Sequence, residues 1–156
     1  MPDTPTTRQR AYLSFYEATE AGPGLVPDEI TEIVGLQPTE AHRRGDPATG
    51  RPWPRHRSSA WRYEQPAAAT YDTEDVVRRL LDAIEPHADG IRAACRTLGL
   101  GARAEVVIEM HATRKNTYDD ALVVTTPAIS YSAETVARLA ALDLSIDHDQ
   151  YVFLGD

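Results

Sequence analysis

The sequence predicts an α+β fold: a mainly antiparallel sheet with helices packed on one face, in ferredoxin-like order, with extra C-terminal βαβ elements. Three observations predict it. Apolar residues alternate in the runs 10–18 (RAYLSFYEA), 59–64 (SAWRYE), 103–113 (RAEVVIEMHAT) and 144–153 (LSIDHDQYVF), which is the two-residue period of strands. Between these runs the spacing changes to three- and four-residue steps, the period of a helix face. The resulting order is strand, helix, short element, strand, helix, hairpin, helix, strand, with no internal repeat to suggest a solenoid.

Residues 1–9 are polar and rich in Pro and Thr, and read as a flexible terminus; residues 10–156 read as one domain. The run 10–18 is the first strand, with Leu13 and Phe15 alternating against Tyr12, Ser14 and Tyr16. After a Gly/Pro-rich crossover, Pro27 suits a first helical position, where its missing N–H costs nothing. Asp28 and Glu29 sit at the positive end of that helix dipole, Ile30, Ile33 and Val34 form its apolar stripe, and Gly35 suits a left-handed cap. The segment from Thr39 to Arg44 fits either a helical turn or an edge strand.

Gly45 to Pro54 holds three prolines and two glycines and reads as a loop. In the strand that follows, Trp61 is a core anchor and should lie near the first helix and the long helix. The stretch 65–70 (QPAAAT) reads as a linker. Asp72 or Thr73 caps the longest helical pattern, in which Val76, Val77, Leu80, Leu81 and Ile84 are followed by Ile91, Ala94, Cys95 and Leu98. Pro86 should break that pattern in two, and Gly99 and Gly101 should end it. Cys95 falls on the apolar stripe and reads as a small hydrophobe rather than a nucleophile.

The strand 103–113 should turn through 114–120 (RKNTYDD) into a return strand over 121–126. Ser132 is a good N-cap for a helix with Val136, Leu139, Ala140 and Leu142 as its apolar positions. The last strand puts Leu144, Ile146 and His148 on one face and Asp147, Asp149, Tyr151 and Phe153 on the other.

A chain of 156 residues can bury a core, with roughly 70% of the unfolded surface hidden at this size. Its single cysteine, the absence of a secretory h-region and the lack of a ~20-residue apolar run together point to a soluble cytoplasmic protein, with no disulfide and no membrane contact. Oligomeric state is not encoded in any pattern. The net charge of −8 is uneven: residues 42–62 carry six arginines against one aspartate, so that segment is +5 and the remainder −13. An acidic body argues against wrapping nucleic acid, because it would repel phosphates beyond the basic segment.

Several short motifs resemble the bacterial family known as domain of unknown function 4279. They are an aromatic first strand, Pro-Asp-Glu-Ile-Thr leading into Gly-Leu-Gln-Pro-Thr over Pro27–Thr39, and Gly45 behind a basic residue. Arg-Ser-Ser-Ala-Trp at Arg57–Trp61, Ile-Glu-Pro-His at Ile84–His87 and the run Leu139–Asp147 complete the set. The resemblance covers nearly all of the chain past residue 10. It implies an intracellular bacterial α+β domain and supplies no reaction, cofactor or catalytic residue. The loop from Asp46 to Pro54 is where this chain should differ most from relatives.

The chemistry concentrates in that loop. Arg43, Arg44, Arg51, Trp53, Arg55, His56 and Arg57 are the candidate binding residues, with His42 and Arg62 at the margins. Arginine's planar fork suits carboxylate or phosphate, and a Trp flanked by Pro52 and Pro54 presents a flat face at low entropic cost. The functional reading is a non-catalytic binding or interaction module, of immunity or regulator type, for an acidic protein partner or a small anionic ligand. The bland alternative is that these arginines pair with the protein's own carboxylates. A rival class is a small metal-dependent or ligand-processing enzyme drawing on Glu109, His111, Asp147 and Asp149, if their strands pair. No nucleophile elbow, P-loop, dinucleotide fingerprint or metal-spacing motif occurs, so no catalytic residue, metal ligand or cofactor is assigned.

Overall fold

The computed structural model describes residues 6–18, 24–50, 54–116 and 119–154. In chain order the elements are β1 (Thr7–Glu17), α1 (Pro27–Val34), β2 (Glu40–His42), β3 (Ala60–Glu64) and β4 (Ala68–Ala69). They continue with α2 (Thr73–Ile84), a 3-10 turn (Glu85–His87), α3 (Ala88–Leu98), β5 (Leu100–His111), β6 (Thr113–Asn116), β7 (Asp119–Val123), α4 (Ala133–Ala141) and β8 (Leu144–Phe153). The main sheet runs β2-β3-β1-β5-β8, with β4 also against β1. β1 is antiparallel to both β3 and β5, and β3 is antiparallel to β2. That is the ferredoxin-like order. The extra C-terminal unit is β5-α4-β8, whose crossover makes β8 parallel to β5.

The alternation in β1 decides which face the helices cover. Thr7, Gln9, Ala11, Leu13 and Phe15 are buried, while Arg8, Arg10, Tyr12, Ser14 and Tyr16 point to the open face. The helical side closes over Trp61, Ile30, Leu80, Leu81, Ile84 and Ile91, all essentially inaccessible. β1 starts earlier than the polar composition of 1–9 suggests, because Thr7 and Gln9 are buried with their hydrogen bonds satisfied. The Gln9 amide donates to Thr70 O at 3.0 Å and accepts from Thr73 Oγ1 at 2.8 Å, and Thr7 Oγ1 donates to Thr125 O at 3.1 Å. The expected linker 65–70 contributes β4, which pairs with Arg8 and Gln9. Of the expected flexible terminus, residues 1–5 lie outside the described residues.

Helix punctuation follows the sequence closely. Gly35 closes α1 at φ 72° and donates its N–H to Thr31 O. Asp72 Oδ1 accepts from Asp75 N at 3.2 Å at the start of α2, and Pro86 converts the chain to a 3-10 turn before α3. Gly99 ends α3 at φ 65°. Gly101 belongs to β5 instead, lying under the Tyr16 ring, where an added Cβ would come within 2.2 Å of Cζ. Cys95 is half-buried against the core, and burial pushes its thiol pKa up, consistent with a packing role.

Two expectations about the second half need correction. The strand expected over 103–113 is divided: β5 stays in the main sheet to His111, and β6 leaves it to pair with β7 in a separate two-stranded sheet. The return strand therefore never joins the core sheet; β8 takes the place beside β5. On and just after α4 the core positions are Thr135, Leu139 and Leu142, while Val136 is 52% exposed, because α4 sits beside the edge strand β8.

Glu74 fastens α4 to α2. Its Oε1 accepts from Ser132 N (2.9 Å), Ser132 Oγ (2.6 Å) and Thr135 Oγ1 (2.5 Å), and these bonds hold its carboxyl down to about 2. Arg138 closes the other end through Glu85 and Asp82, both at 2.6 Å. A carboxylate whose folded pKa is depressed stabilises the fold above its unfolded pKa, and that contribution disappears as pH falls from about 4.5 towards about 2. Glu74→Gln should therefore be less stable than the parent at pH 6, with the gap closing between pH ~4.5 and ~2. Thermal midpoints of both proteins across that range check it; a pH-independent gap would remove the ionised carboxylate from the account.

Candidate functional site

The candidate loop leaves from one edge of the sheet. β2 answers the question about Thr39–Arg44: it is an edge strand, with Glu40 opposite Arg62, Ala41 opposite Trp61 and His42 opposite Ala60. Thr39 N donates to Arg62 O at 2.9 Å and begins the pairing. β3 is internal, between β2 and β1, so the C-terminal root of the loop is fixed inside the sheet. Its anchor is Trp61, which is 1% exposed, packed edge-on against Phe15 at 5.2 Å, with Nε1 donating to Thr31 Oγ1 on α1 at 2.9 Å.

Between β2 and β3 the chain folds back on itself. Gly45 N donates to His56 O (2.8 Å), His56 N to Asp46 O (2.9 Å) and Ala48 N to Pro54 O (3.0 Å), with a bridge between Pro47 and Arg55. Gly45 turns the chain at φ 91°, a conformation that favours glycine. Asp46 Oδ2 accepts from Arg43 N at 2.7 Å, and Ser59 Oγ from Arg44 N at 2.9 Å. The turn residues legible in the sequence thus close a hydrogen-bonded excursion.

The structure distributes the candidate side chains unevenly. Arg43, Arg44, Arg55 and Arg57 are exposed. Arg43 pairs with Asp28 at 2.9 Å, a solvent-exposed contact of about 0–1 kcal/mol. Arg55 donates to Gly45 O at 2.7 Å, so part of its fork serves the loop itself. His56 is half-buried and stacks on His42 with ring centroids 3.6 Å apart. Arg62 is drawn into the sheet face, 3.2 Å from Glu40. Arg51 and Trp53 lie outside the described residues. Under the loop is an open cleft of about 490 Å3, lined by Glu40, Asp46, Pro47, Thr49 and the two stacked histidines. Both carboxylates in its wall already have partners, Glu40 in Arg62 and Asp46 in the Arg43 amide. Over 40–50 and 54–62 there are five arginines against these two carboxylates, so the described part of the loop keeps a positive excess.

The second constellation does not assemble. β5 and β8 do pair, but the parallel register sets Asp147 opposite Glu105, Asp149 opposite Val107, Glu109 opposite Tyr151 and His111 opposite Phe153. Glu109 binds Arg10 at 2.6 Å, and His111 stacks on Phe153 at 5.1 Å. Among the described residues no group of three or more His, Cys, Asp or Glu could hold a metal ion.

Two features escaped the sequence. The first is the His42–His56 stack, which joins residues from opposite ends of the loop. The second is a network on the open sheet face centred on Glu105, which accepts from the Tyr12 hydroxyl and from Ser14 Oγ (2.9 Å) and has Arg103 at 3.6 Å. Burial and the Glu105 carboxylate push the Tyr12 pKa up, so the phenol stays a donor. Arg62 lies over the Tyr12 ring at 5.1 Å and Arg103 over Tyr16 at 4.6 Å. Register alone could have revealed it, since Tyr12 sits opposite Glu105.

Among the described residues no helix is long and apolar enough to cross a membrane. No curated protein and no solved structure matches this chain. A family model does, over residues 6–153, and the chain therefore belongs to the family described as Domain of unknown function (DUF4279).

Proposed function

We propose that the protein is a non-catalytic binding module whose β2–β3 loop receives an anionic group, foremost the carboxylates of an acidic partner protein. The observation that carries this is the internal hydrogen bonding of the loop's described residues: backbone and short polar side chains hold them in shape, and the Arg44 and Arg57 side chains are exposed. Arg44's guanidinium has no partner among the described residues. Guanidinium forks bind carboxylates in two-point fashion, and a segment whose backbone is already hydrogen-bonded loses less entropy when a partner arrives. The Glu40 carboxylate of the cleft wall is paired with Arg62, which lessens its repulsion of an incoming anion.

Poly-L-glutamate, with inorganic phosphate as the small-anion arm, serves as the probe. Arg44→Ala/Arg57→Ala should move the unfolding midpoint by no more than about 1 kcal/mol in stability, while weakening poly-L-glutamate binding about tenfold or more. Parent binding should fall as salt shortens the screening length to ~10 Å at 0.1 M. A parent protein that binds neither probe at low salt, or a double variant that binds like the parent, would remove the loop from consideration.

A further inference from the structure

β1 and β3 pair where Tyr12–Ser14 meet Arg62–Glu64, and Gln65 N donates to Ala11 O just beyond. β1 continues to Glu17 and β3 begins at Ala60, so Phe15 and Tyr16 face Ala60 and Trp61 with no ladder between them. β2 pairs with β3 from its other side at Ala60 and Trp61. The gap is a slot of about 190 Å3 at the root of the loop. Its walls include Arg62 from β3 and Glu105 from β5, with the Tyr12, Ser14 and Ser59 side chains between and around them.

The slot therefore presents a donor-only cation, an acceptor-only anion, and the edges of two strands whose mutual pairing has stopped. Neither charge is exhausted by its present partners. A carboxylate offers about four lone-pair positions; at Glu105 Tyr12 and Ser14 occupy two, and Arg103 lies 3.6 Å from Oε1. A guanidinium offers five N–H donors, and Glu40 engages one nitrogen of Arg62 at 3.2 Å. A simple anion entering the slot would meet Glu105, and a simple cation would meet Arg62. A molecule carrying both signs satisfies both. We infer that this slot binds a small zwitterion of amino-acid type, its ammonium towards Glu105 and its carboxylate towards Arg62. The volume restricts the ligand to a few heavy atoms, below the ~300–1,000 Å3 of drug-sized sites.

The full chain is titrated by calorimetry and thermal shift with glycine, β-alanine and γ-aminobutyrate, against acetate and ethylamine as single-charge controls. At least one zwitterion should raise the midpoint in a dose-dependent way with Kd in the millimolar range or tighter, and both controls should fail to do so. Glu105→Gln should weaken that binding at least tenfold. Because this substitution also disturbs Tyr12 and Ser14, Ala60→Leu provides an independent variant that fills the slot from β3 and should abolish the response. No response to any of the three zwitterions, an equal response to acetate, or unchanged binding in Ala60→Leu would overturn the inference. Poly-L-glutamate binding should survive Ala60→Leu, so failure of the slot and failure of the loop are read separately.

Discussion

Trp61→Ala should destabilise the protein by about 3–5 kcal/mol, a large share of the ~5–15 kcal/mol that holds a typical domain. Trp61 is 1% exposed and stands edge-on to Phe15 at 5.2 Å, in a core it shares with α1. Its Nε1 donates to Thr31 Oγ1, but that hydroxyl also donates to Pro27 O at 3.1 Å, so removing the indole leaves no orphaned donor. The cost comes from the cavity and the lost aromatic contact. Trp53→Ala, in the proline-flanked loop, should shift stability by only about 0.5 kcal/mol. Urea midpoints of the two variants decide it: equal destabilisation, or a larger effect at Trp53, would mean that core and loop have been exchanged.

Gly90→Ala should destabilise by about 1–3 kcal/mol, although alanine is favoured over glycine inside a helix by ~1 kcal/mol. The reason is the crossing of α1 and α3. A Cβ at Gly90 would lie 2.6 Å from Val34 O, 2.8 Å from Ile33 O and 2.8 Å from Val34 Cα. Those are backbone atoms at the end of α1, and no rotamer change can move them aside. The helices would have to separate, and α1 would carry Thr31 away from the Trp61 indole. Denaturant midpoints test the sign; a variant more stable than the parent would show that propensity outweighs the contact.

The candidate loop illustrates how far pattern reading reaches. Its position, its turn residues and its excess of arginine are local properties, visible in Gly45, Asp46 and the run from Arg43 to Arg57. Whether Thr39–Arg44 was helix or strand depended on a partner eighteen or more residues away, since β2 exists by pairing with β3. The pairing of Glu109, His111 and Asp147 was equally open, and a parallel register with Asp147 opposite Glu105 dispersed them. Val136 looked like a core residue because helical spacing reveals an apolar position without saying what lies beside it. β1 reached back to Thr7 because buried polar side chains found acceptors on segments more than sixty residues distant.

By itself the sequence determined the α+β class, the order of the main elements, the helix starts at Pro27, at Asp72 or Thr73 and at Ser132, the break at Pro86 and the burial of Trp61. These follow from short-range periodicity and from dihedral or capping preferences that act within a few residues. Only the tertiary structure decided which strands are neighbours, where β6 leaves the sheet, how His42 meets His56, and where β1 and β3 part to leave a slot. Each of those depends on register between segments distant in sequence, and register is set by the summed packing of a whole face rather than by any residue's own preference.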